Sequence, residues 1–175
     1  MMQERLSQSE LGFVWKESRK DGEAPLESTA RAVASWNEFV QHAGGEEQQG
    51  YGTGNFTMEE MRLTNRLEDL EDVPRDKCIK VIASLLCFDA AYGAVRNAEW
   101  PYERCYDLVK SELGEDIQAF FPGEYWAVYP SNLDDEEHSG SGCSGMFPEA
   151  PVTCTFTCFA LTADSCFIFS VGDED

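Results

Sequence analysis

The chain has 175 residues, of which 42% are hydrophobic and 12% aromatic, so its composition is that of a folded protein and not of a disordered one. No apolar run approaches the roughly 18 residues of a membrane-spanning helix, and the N-terminal segment lacks the apolar stretch of a secretory signal. With 33 acidic against 13 basic residues the formal net charge is −20, which disfavours nucleic acid and anionic membranes as partners because both would be repelled. We therefore expect a cytoplasmic protein.

Local patterns predict two helices in the first part of the chain. An apolar island at 11–15 fits either an early strand or a single helical turn. From Glu27 to His42, apolar residues recur at three- and four-residue steps, and two glycines end this pattern. Thr57 and Glu60 form a capping-box pattern, which predicts the start of a second helix. Its apolar face would be marked by Leu63, Leu67 and Leu70.

Two prolines mark the predicted starts of two more helices. Pro74 fits the first turn of a third helix over 75–96, whose many apolar residues place it in the core. Asp89 would then be a buried, hydrogen-bonded acid inside that helix. Pro101 fits the start of a fourth helix, which Gly114 would end.

After residue 121 the pattern changes from helix to strand. The segment 124–129, EYWAVY, predicts a short aromatic strand, and a loop rich in Ser, Gly and acids follows at 130–151. Apolar residues alternate with Thr over 152–161, and a second strand at 165–171 completes a predicted hairpin.

This order of elements predicts an α+β fold in a single domain over residues 1–175. About four helices would form an N-terminal helical portion over about 26–121. That portion would pack on a small C-terminal antiparallel sheet over about 124–172.

The cysteines predict reduced thiols in a cytoplasmic protein. Their number, seven, is odd, and disulfide-rich secreted domains usually have an even count and a shorter chain. They are Cys78, Cys87, Cys105, Cys143, Cys154, Cys158 and Cys166.

The negative charge is concentrated towards the C-terminus. Residues 115–175 contain twelve acids and no Lys or Arg, and Lys110 is the last base in the chain. Ordinary surfaces mix both signs, because like charges repel one another and destabilise a compact state. The acidity fits either solubility or a positively charged partner. For that partner we predict contacts from Tyr125, Tyr129, Asp134, Asp135, Glu136, Glu137, Glu149, Asp173 and Glu174.

The leading functional hypothesis is a non-enzymatic, acidic inhibitor that occupies the basic surface of a nucleic-acid-processing protein, as DNA mimics and phage anti-defence proteins do. The analogy rests on charge alone. One alternative is an immunity protein that neutralises a basic bacterial toxin. Another is an enzyme of unrecognised type that uses Cys143 and His138.

Three motifs in the acidic segment resemble functional sites, but the surrounding residues disfavour each of them. Residues 140–145 match G-x-G-x-x-G, but an acidic run precedes them where a nucleotide site needs a strand. His138 and Cys143 could form a thiol–imidazole pair, but nearby carboxylates oppose a thiolate. A zinc site would add Cys154 and Cys158, which are four residues apart on a predicted strand and thus too far apart for one ion. The sequence therefore indicates no cofactor and no metal.

Overall fold

The computed structural model describes residues 1–45, 50–64, 67–89, 95–96, 99–122, 143–144, 152 and 154–173. They form helices and a mainly antiparallel sheet, which confirms the predicted α+β class. The helices are α1 (Met2–Leu6), α2 (Pro25–Ala43), α3 (Arg75–Cys87) and α4 (Tyr102–Leu113), with 3₁₀ turns at Met58–Met61 and Leu67–Asp69. The strands are β1 (Leu11–Ser18), β2 (Leu70–Val73), β3 (Gln118–Pro122), β4 (Cys143–Ser144), β5 (Cys154–Leu161) and β6 (Ser165–Asp173). Within these residues, no helix has the length and apolar character needed to cross a membrane.

The main sheet has the spatial order β1-β6-β5-β3-β2, and each neighbouring pair is antiparallel. The short β4 pairs in parallel with β5 outside this order. β5 and β6 form the predicted hairpin. The Thr162 hydroxyl stabilises its turn by accepting hydrogen bonds from the backbone N–H groups of Asp164 (3.3 Å) and Ser165 (3.0 Å). β1 and β2 are therefore the edges of this order.

Apolar clusters cover both faces of the sheet. Along β5, Phe156, Cys158 and Ala160 alternate with Phe159 and Leu161, and all five are buried. The first three belong to a cluster with α1, α3 and α4. The other two belong to a second cluster with β1 and α2. The central strands are thus buried between two helical layers.

The first predicted helix is confirmed as α2. Pro25 occupies its first turn, and Gly44, with φ of 56°, follows its last residue. Trp36 on its buried face stacks on Phe13 of β1, with ring centroids 3.7 Å apart. Its indole N–H donates to the Met61 carbonyl at 2.9 Å. This side chain therefore fixes both the sheet and the following 3₁₀ turn against α2.

The second predicted helix does not continue beyond one turn. The capping box at Thr57 and Glu60 forms, but it starts only the 3₁₀ turn ending at Met61. The Asn37 side chain then binds both backbone groups of Leu63, at 2.8 and 2.9 Å. This contact holds the chain outside a helix, so the tertiary structure overrides the local leucine spacing.

The third predicted helix also ends early, at Cys87 instead of residue 96. The Arg96 backbone N–H donates to the Cys87 carbonyl at 2.9 Å, and Arg96 Nε donates to the Leu85 carbonyl at 3.0 Å. These bonds satisfy carbonyls that the last turn of a helix leaves free. Asp89 therefore lies after α3 and is half-buried, not enclosed within the helix. The fourth helix is confirmed as α4.

The predicted separation of a helical part from a C-terminal sheet is not confirmed. Three strands, β1, β2 and β3, come from the first 122 residues. The island at 11–15 belongs to β1, which resolves its ambiguity in favour of a strand. The sequence predicted neither β2 nor β3, and Leu70, which was expected on the apolar face of the second helix, begins β2 instead. The predicted strand at 124–129 lies outside the described residues.

Candidate binding surface

One of the nine predicted contact residues, Asp173, lies within the described part of the chain. Its carboxylate forms two hydrogen bonds with the Arg96 guanidinium, at 3.0 and 2.6 Å. The Arg96 and Asp173 side chains are only 5% and 7% exposed. A buried and paired carboxylate has little free charge to offer a partner, so this geometry adds no support for contact through Asp173, which stays a prediction. The other eight lie outside the described residues: Tyr125, Tyr129, Asp134, Asp135, Glu136, Glu137, Glu149 and Glu174.

Arg19 shows how a basic side chain is used inside the fold. Its three guanidinium nitrogens donate to the Ser28 hydroxyl (2.9 Å), the Thr162 carbonyl (2.8 Å) and the Glu23 carbonyl (2.9 Å). The side chain thus joins the start of α2 to the β5–β6 turn. Its donors are directed into the protein and not towards a partner.

Arg31 of α2 also forms internal hydrogen bonds in the same region. Its guanidinium donates to the Glu23 carboxylate at 2.9 and 3.0 Å and also to the Ser18 carbonyl. Glu23 accepts a further bond from the Ser28 hydroxyl at 2.7 Å. The pKa of the Glu23 carboxyl is lowered from 4.5 to about 2. The hydrogen bond from Arg31 is the largest cause, and the hydrogen bond from Ser28 is the next. The pair therefore remains ionised at neutral pH.

Two more arginines lie against an aromatic ring. The guanidinium carbons of Arg5 and Arg104 are 3.1 and 4.1 Å from the centroid of the Trp100 ring. Arg5 is only 8% exposed. Arg75 donates to the Gly114 carbonyl at 2.9 Å. Arg5 is therefore largely withdrawn from the surface and Arg75 is half-buried, whereas Arg104 remains exposed.

Carboxylates, in contrast, are mostly exposed in the described residues, where they outnumber the exposed basic side chains. The exposed basic residues are Lys16, Lys20, Arg62, Arg104 and Lys110. The exposed acids are Glu4, Asp21, Glu27, Glu38, Glu59, Glu68, Glu71, Asp72, Asp76, Glu99, Glu103, Asp107, Glu115, Asp116 and Asp164.

A group of these acids lies at the β2 side of the sheet, and we call Glu71, Asp72, Asp76, Glu115 and Asp116 the acidic edge. Glu71 and Asp72 are in β2, which pairs only with β3 along the main order. The Gln118 amide donates to Asp72 at 3.3 Å. The Arg75–Gly114 bond brings the loop before β3 next to the start of α3. The fold thus gathers acids that are far apart in the sequence.

Asp76 is the acid of this edge with the most defined environment. Its carboxylate accepts a hydrogen bond from the Tyr106 hydroxyl at 2.8 Å and lies 3.3 Å from Lys80. The pKa of Asp76 is lowered mainly by the hydrogen bond from Tyr106 and, to a smaller extent, by the interaction with Lys80. Glu71 and Asp72 lie on β2, an edge of the described sheet, and charges on an edge strand discourage pairing with another sheet.

The chemical motifs of the acidic segment receive little support from the described residues. Cys143 is in β4 opposite Thr155, whereas His138 and most of 140–145 lie outside the described part. Cys154 and Cys158 do lie four residues apart on one strand. Within the described part of the chain, no three His, Cys, Asp or Glu side chains are grouped to hold a metal ion.

Comparison with known proteins gives no family. The chain matches no protein-family model, and no curated protein and no solved structure is significantly similar to it.

The acidic edge was not predicted from the sequence. Residues 57–114 have the composition of an ordinary, mildly acidic surface, and Glu115 and Asp116 belong to the acidic C-terminal segment 115–175. The paired acids at 71–72 and 115–116 are a weak local signal. Their meeting depends on the pairing of β2 with β3, which local patterns do not reveal.

Proposed function

We propose that this protein is a non-enzymatic acidic inhibitor that binds the basic surface of a nucleic-acid-processing protein and thereby excludes the nucleic acid. The observation that carries the proposal is the distribution of charge. The chain has a net charge of −20, and Arg19, Arg31 and Arg96 are used in internal contacts while carboxylates face solvent.

This arrangement is suited to imitating a polyanion. Carboxylates fixed on strands and helices can occupy positions that phosphates would take on a basic protein. Docking would displace the counterions around both surfaces, so affinity should fall steeply as salt increases. The negative field would also accelerate encounter with a basic partner.

The test uses immobilised full-length protein and a nuclease-treated host lysate, so that nucleic acid does not bridge the proteins. We expect capture of a basic nucleic-acid-binding protein at low salt, its loss at high salt, and its release by added double-stranded DNA. Equal capture at both salts, or failure of DNA to compete, would contradict the proposal.

Two variants with matched charge test whether the acidic edge is the contact surface. The edge variant combines Glu71→Gln, Asp72→Asn, Glu115→Gln and Asp116→Asn. The distal variant neutralises the same number of exposed acids near α2 and the β5–β6 turn: Asp21→Asn, Glu27→Gln, Glu38→Gln and Asp164→Asn. We expect capture to weaken more in the edge variant. Equal weakening would indicate attraction by total charge alone.

A further inference from the structure

Arg5 of α1 is a buried cation whose side chain has no acceptor in the described part of the chain. It is only 8% exposed. Its Nε is fully shielded and without a hydrogen-bond partner, and among the described residues its guanidinium forms no hydrogen bond or ion pair. Arg19, Arg31 and Arg96, in contrast, all donate to the acceptors described above. Arg5 is therefore an exception to the way this fold uses its internal arginines.

The Arg5 guanidinium lies on the half-buried ring of Trp100, and Arg104 of α4 contacts the same ring. The two guanidinium carbons are 3.1 and 4.1 Å from the ring centroid, so the two charges lie close together. Arg104 is exposed, and its side chain also forms no hydrogen bond or ion pair with a described residue. Two positive charges thus converge on one indole without a counter-charge. We call Arg5, Trp100 and Arg104 the arginine–indole cluster.

The core of the protein holds this cluster in place. The Cys87 and Cys105 thiols donate to the backbone carbonyl oxygen of Trp100, with sulfur–oxygen distances of 3.5 and 3.9 Å. Pro101 follows as the residue that precedes the first turn of α4. Leu6, next to Arg5 on α1, is buried in the same apolar cluster as α3 and α4. The position of the indole is therefore set by two helices, and the position of Arg5 by the packing of α1.

A buried guanidinium without an acceptor destabilises a protein, because stacking on a ring recovers only part of the free energy lost when the charge leaves water. Stacking uses the face of the guanidinium and leaves the five N–H donors in its plane available. The two terminal nitrogens of Arg5 are not fully shielded, unlike Nε. A small solute can therefore reach them from the surface.

The start of α4 adds a favourable potential for anions at the same place. This helix has 12 residues and, among the described residues, no side chain caps its N-terminus. Backbone N–H groups and the helix dipole favour negative charge there. Trp100 lies immediately before this N-terminus and Arg104 lies in its first turn. The helix end and the two arginines therefore act on one small region.

Three exposed acids, Glu4, Glu99 and Glu103, are neighbours of the cluster in the sequence. Within the described residues, Glu4 lies 3.6 Å from the N-terminal ammonium instead of pairing with an arginine. These acids and the net charge of −20 oppose anions that are attracted only at long range. The cluster therefore favours an anion that forms direct, multiple hydrogen bonds with the guanidiniums.

We propose that the arginine–indole cluster binds a phosphate group, either as inorganic phosphate or as the monoester of a small molecule. Guanidinium forks match pairs of phosphate oxygens, and hydrogen bonds between two charged groups are the strongest of their kind. Arg5 donates from the edge of its stacked guanidinium, and the exposed Arg104 closes on the same group. The acidic edge takes no part in this site, so its failure would leave the proposed inhibitor function untouched.

The test is isothermal titration calorimetry of the full-length protein with sodium phosphate at pH 7.5, with the ionic strength held constant by NaCl. Phenyl phosphate, which carries the same group as a monoester, is titrated in the same way. We expect saturable binding at one site per chain. Tighter binding of phenyl phosphate would assign a monoester, and tighter binding of inorganic phosphate would assign the free ion. Absence of saturable binding of both at millimolar concentrations overturns the proposal.

Three variants test where the phosphate binds. Arg5→Met and Arg104→Gln should each lower the affinity about tenfold or more, because each removes charged hydrogen bonds. Arg62→Gln, the matched control, removes an exposed arginine after the 3₁₀ turn at Met58–Met61 and should leave the affinity unchanged. An equal loss in all three variants would indicate attraction by charge alone and overturn the site.

Stability gives a second measurement at Arg5. Without phosphate, Arg5→Met should melt no lower than wild type, because it removes an unpaired buried charge and keeps an apolar side chain. Phosphate should raise the melting temperature of wild type, but not of this variant, above that in NaCl of equal ionic strength. A large loss of stability in Arg5→Met would show that Arg5 serves the fold. In that case an unchanged affinity in Arg104→Gln, at an exposed position, overturns the proposal.

Discussion

Glu23 accepts hydrogen bonds from both the Arg31 guanidinium and the Ser28 hydroxyl, and these bonds hold the pKa of its carboxyl at about 2. The carboxyl has a usual pKa of 4.5. A group whose pKa is lowered by folding stabilises the folded state above its unfolded pKa. Its contribution is lost as the pH falls from about 4.5 through about 2.

Glu23→Gln should therefore destabilise the protein at pH 7 and do so much less at low pH. The measurement is urea unfolding of wild type and variant at pH 7, 3 and 2, with the difference in free energy of unfolding as the readout. Glu27→Gln removes an exposed carboxylate close by on α2 and serves as the control. A wild-type advantage that stays constant down to pH 2 would contradict the lowered pKa.

Asp173 shows what residue-level inspection of the sequence cannot supply. Its position in an acidic C-terminal segment suggests a solvent-facing charge. Its partner, Arg96, is 77 residues away in the sequence, and neither residue has a local pattern that indicates the other. Ion pairs between residues that are far apart in the sequence can be identified only from the three-dimensional arrangement of the strands.

At the scale of elements, the Arg96–Asp173 pair connects parts of the fold that are distant in the chain. Arg96 binds carbonyls near the end of α3, and Asp173 ends β6 and also accepts from the Glu10 backbone N–H before β1, at 3.3 Å. Both side chains are almost fully buried. Removing one charge of such a pair leaves the other in a poorly solvated site.

Asp173→Asn should lower the free energy of unfolding by about 3 kcal/mol. Asp164→Asn, at an exposed acid in the β5–β6 turn, should change it by less than about 0.5 kcal/mol. Urea unfolding at pH 7 measures both. The double variant Arg96→Leu with Asp173→Leu should be less destabilised than the sum of its single variants. Additivity of the single effects would show that the two groups do not interact.

The sequence correctly predicted the elements that are specified by patterns within their own residues. Glu27 to His42 has a regular apolar spacing and a glycine stop, and the hairpin of β5 and β6 has alternation and a turn. The helix expected after Thr57 failed because α2 side chains bind the backbone that follows it. β2 and β3 were missed because these short strands gain their structure from pairing with each other and, for β3, with β5. The acidic edge depends on that same pairing and was missed for the same reason.

At the scale of the whole molecule, the layered packing decides where charge can lie. Both faces of β5 and β6 are covered by helices, so ionised side chains are confined to edges, turns and outer helix surfaces. In the described part of residues 115–175 the exposed acids are Glu115, Asp116 and Asp164, and Asp173 is buried. Most of the exposed acids in the described part of the chain therefore belong to residues 1–114, outside the acidic C-terminal segment 115–175.

A net charge of −20 should also repel itself and reduce the stability of the folded state at low ionic strength. Adding NaCl screens exposed charges, so the melting temperature should rise. A gain of about 1 kcal/mol corresponds to about 3 °C for a chain of this size. The edge and distal variants each remove four negative charges. Both should therefore melt higher than wild type at low salt and depend less on salt.

Comparing the two variants separates repulsion from recognition. Self-repulsion depends mainly on how many charges are removed, so differential scanning calorimetry should give both variants similar salt slopes. Recognition depends on where the charges lie, so capture of a basic partner should distinguish them. A wild-type melting temperature that is independent of NaCl, or a variant that melts lower at low salt, would mean that the exposed carboxylates do not strain the fold. Retaining them would then carry no stability cost, and their number would no longer be an argument for a binding role.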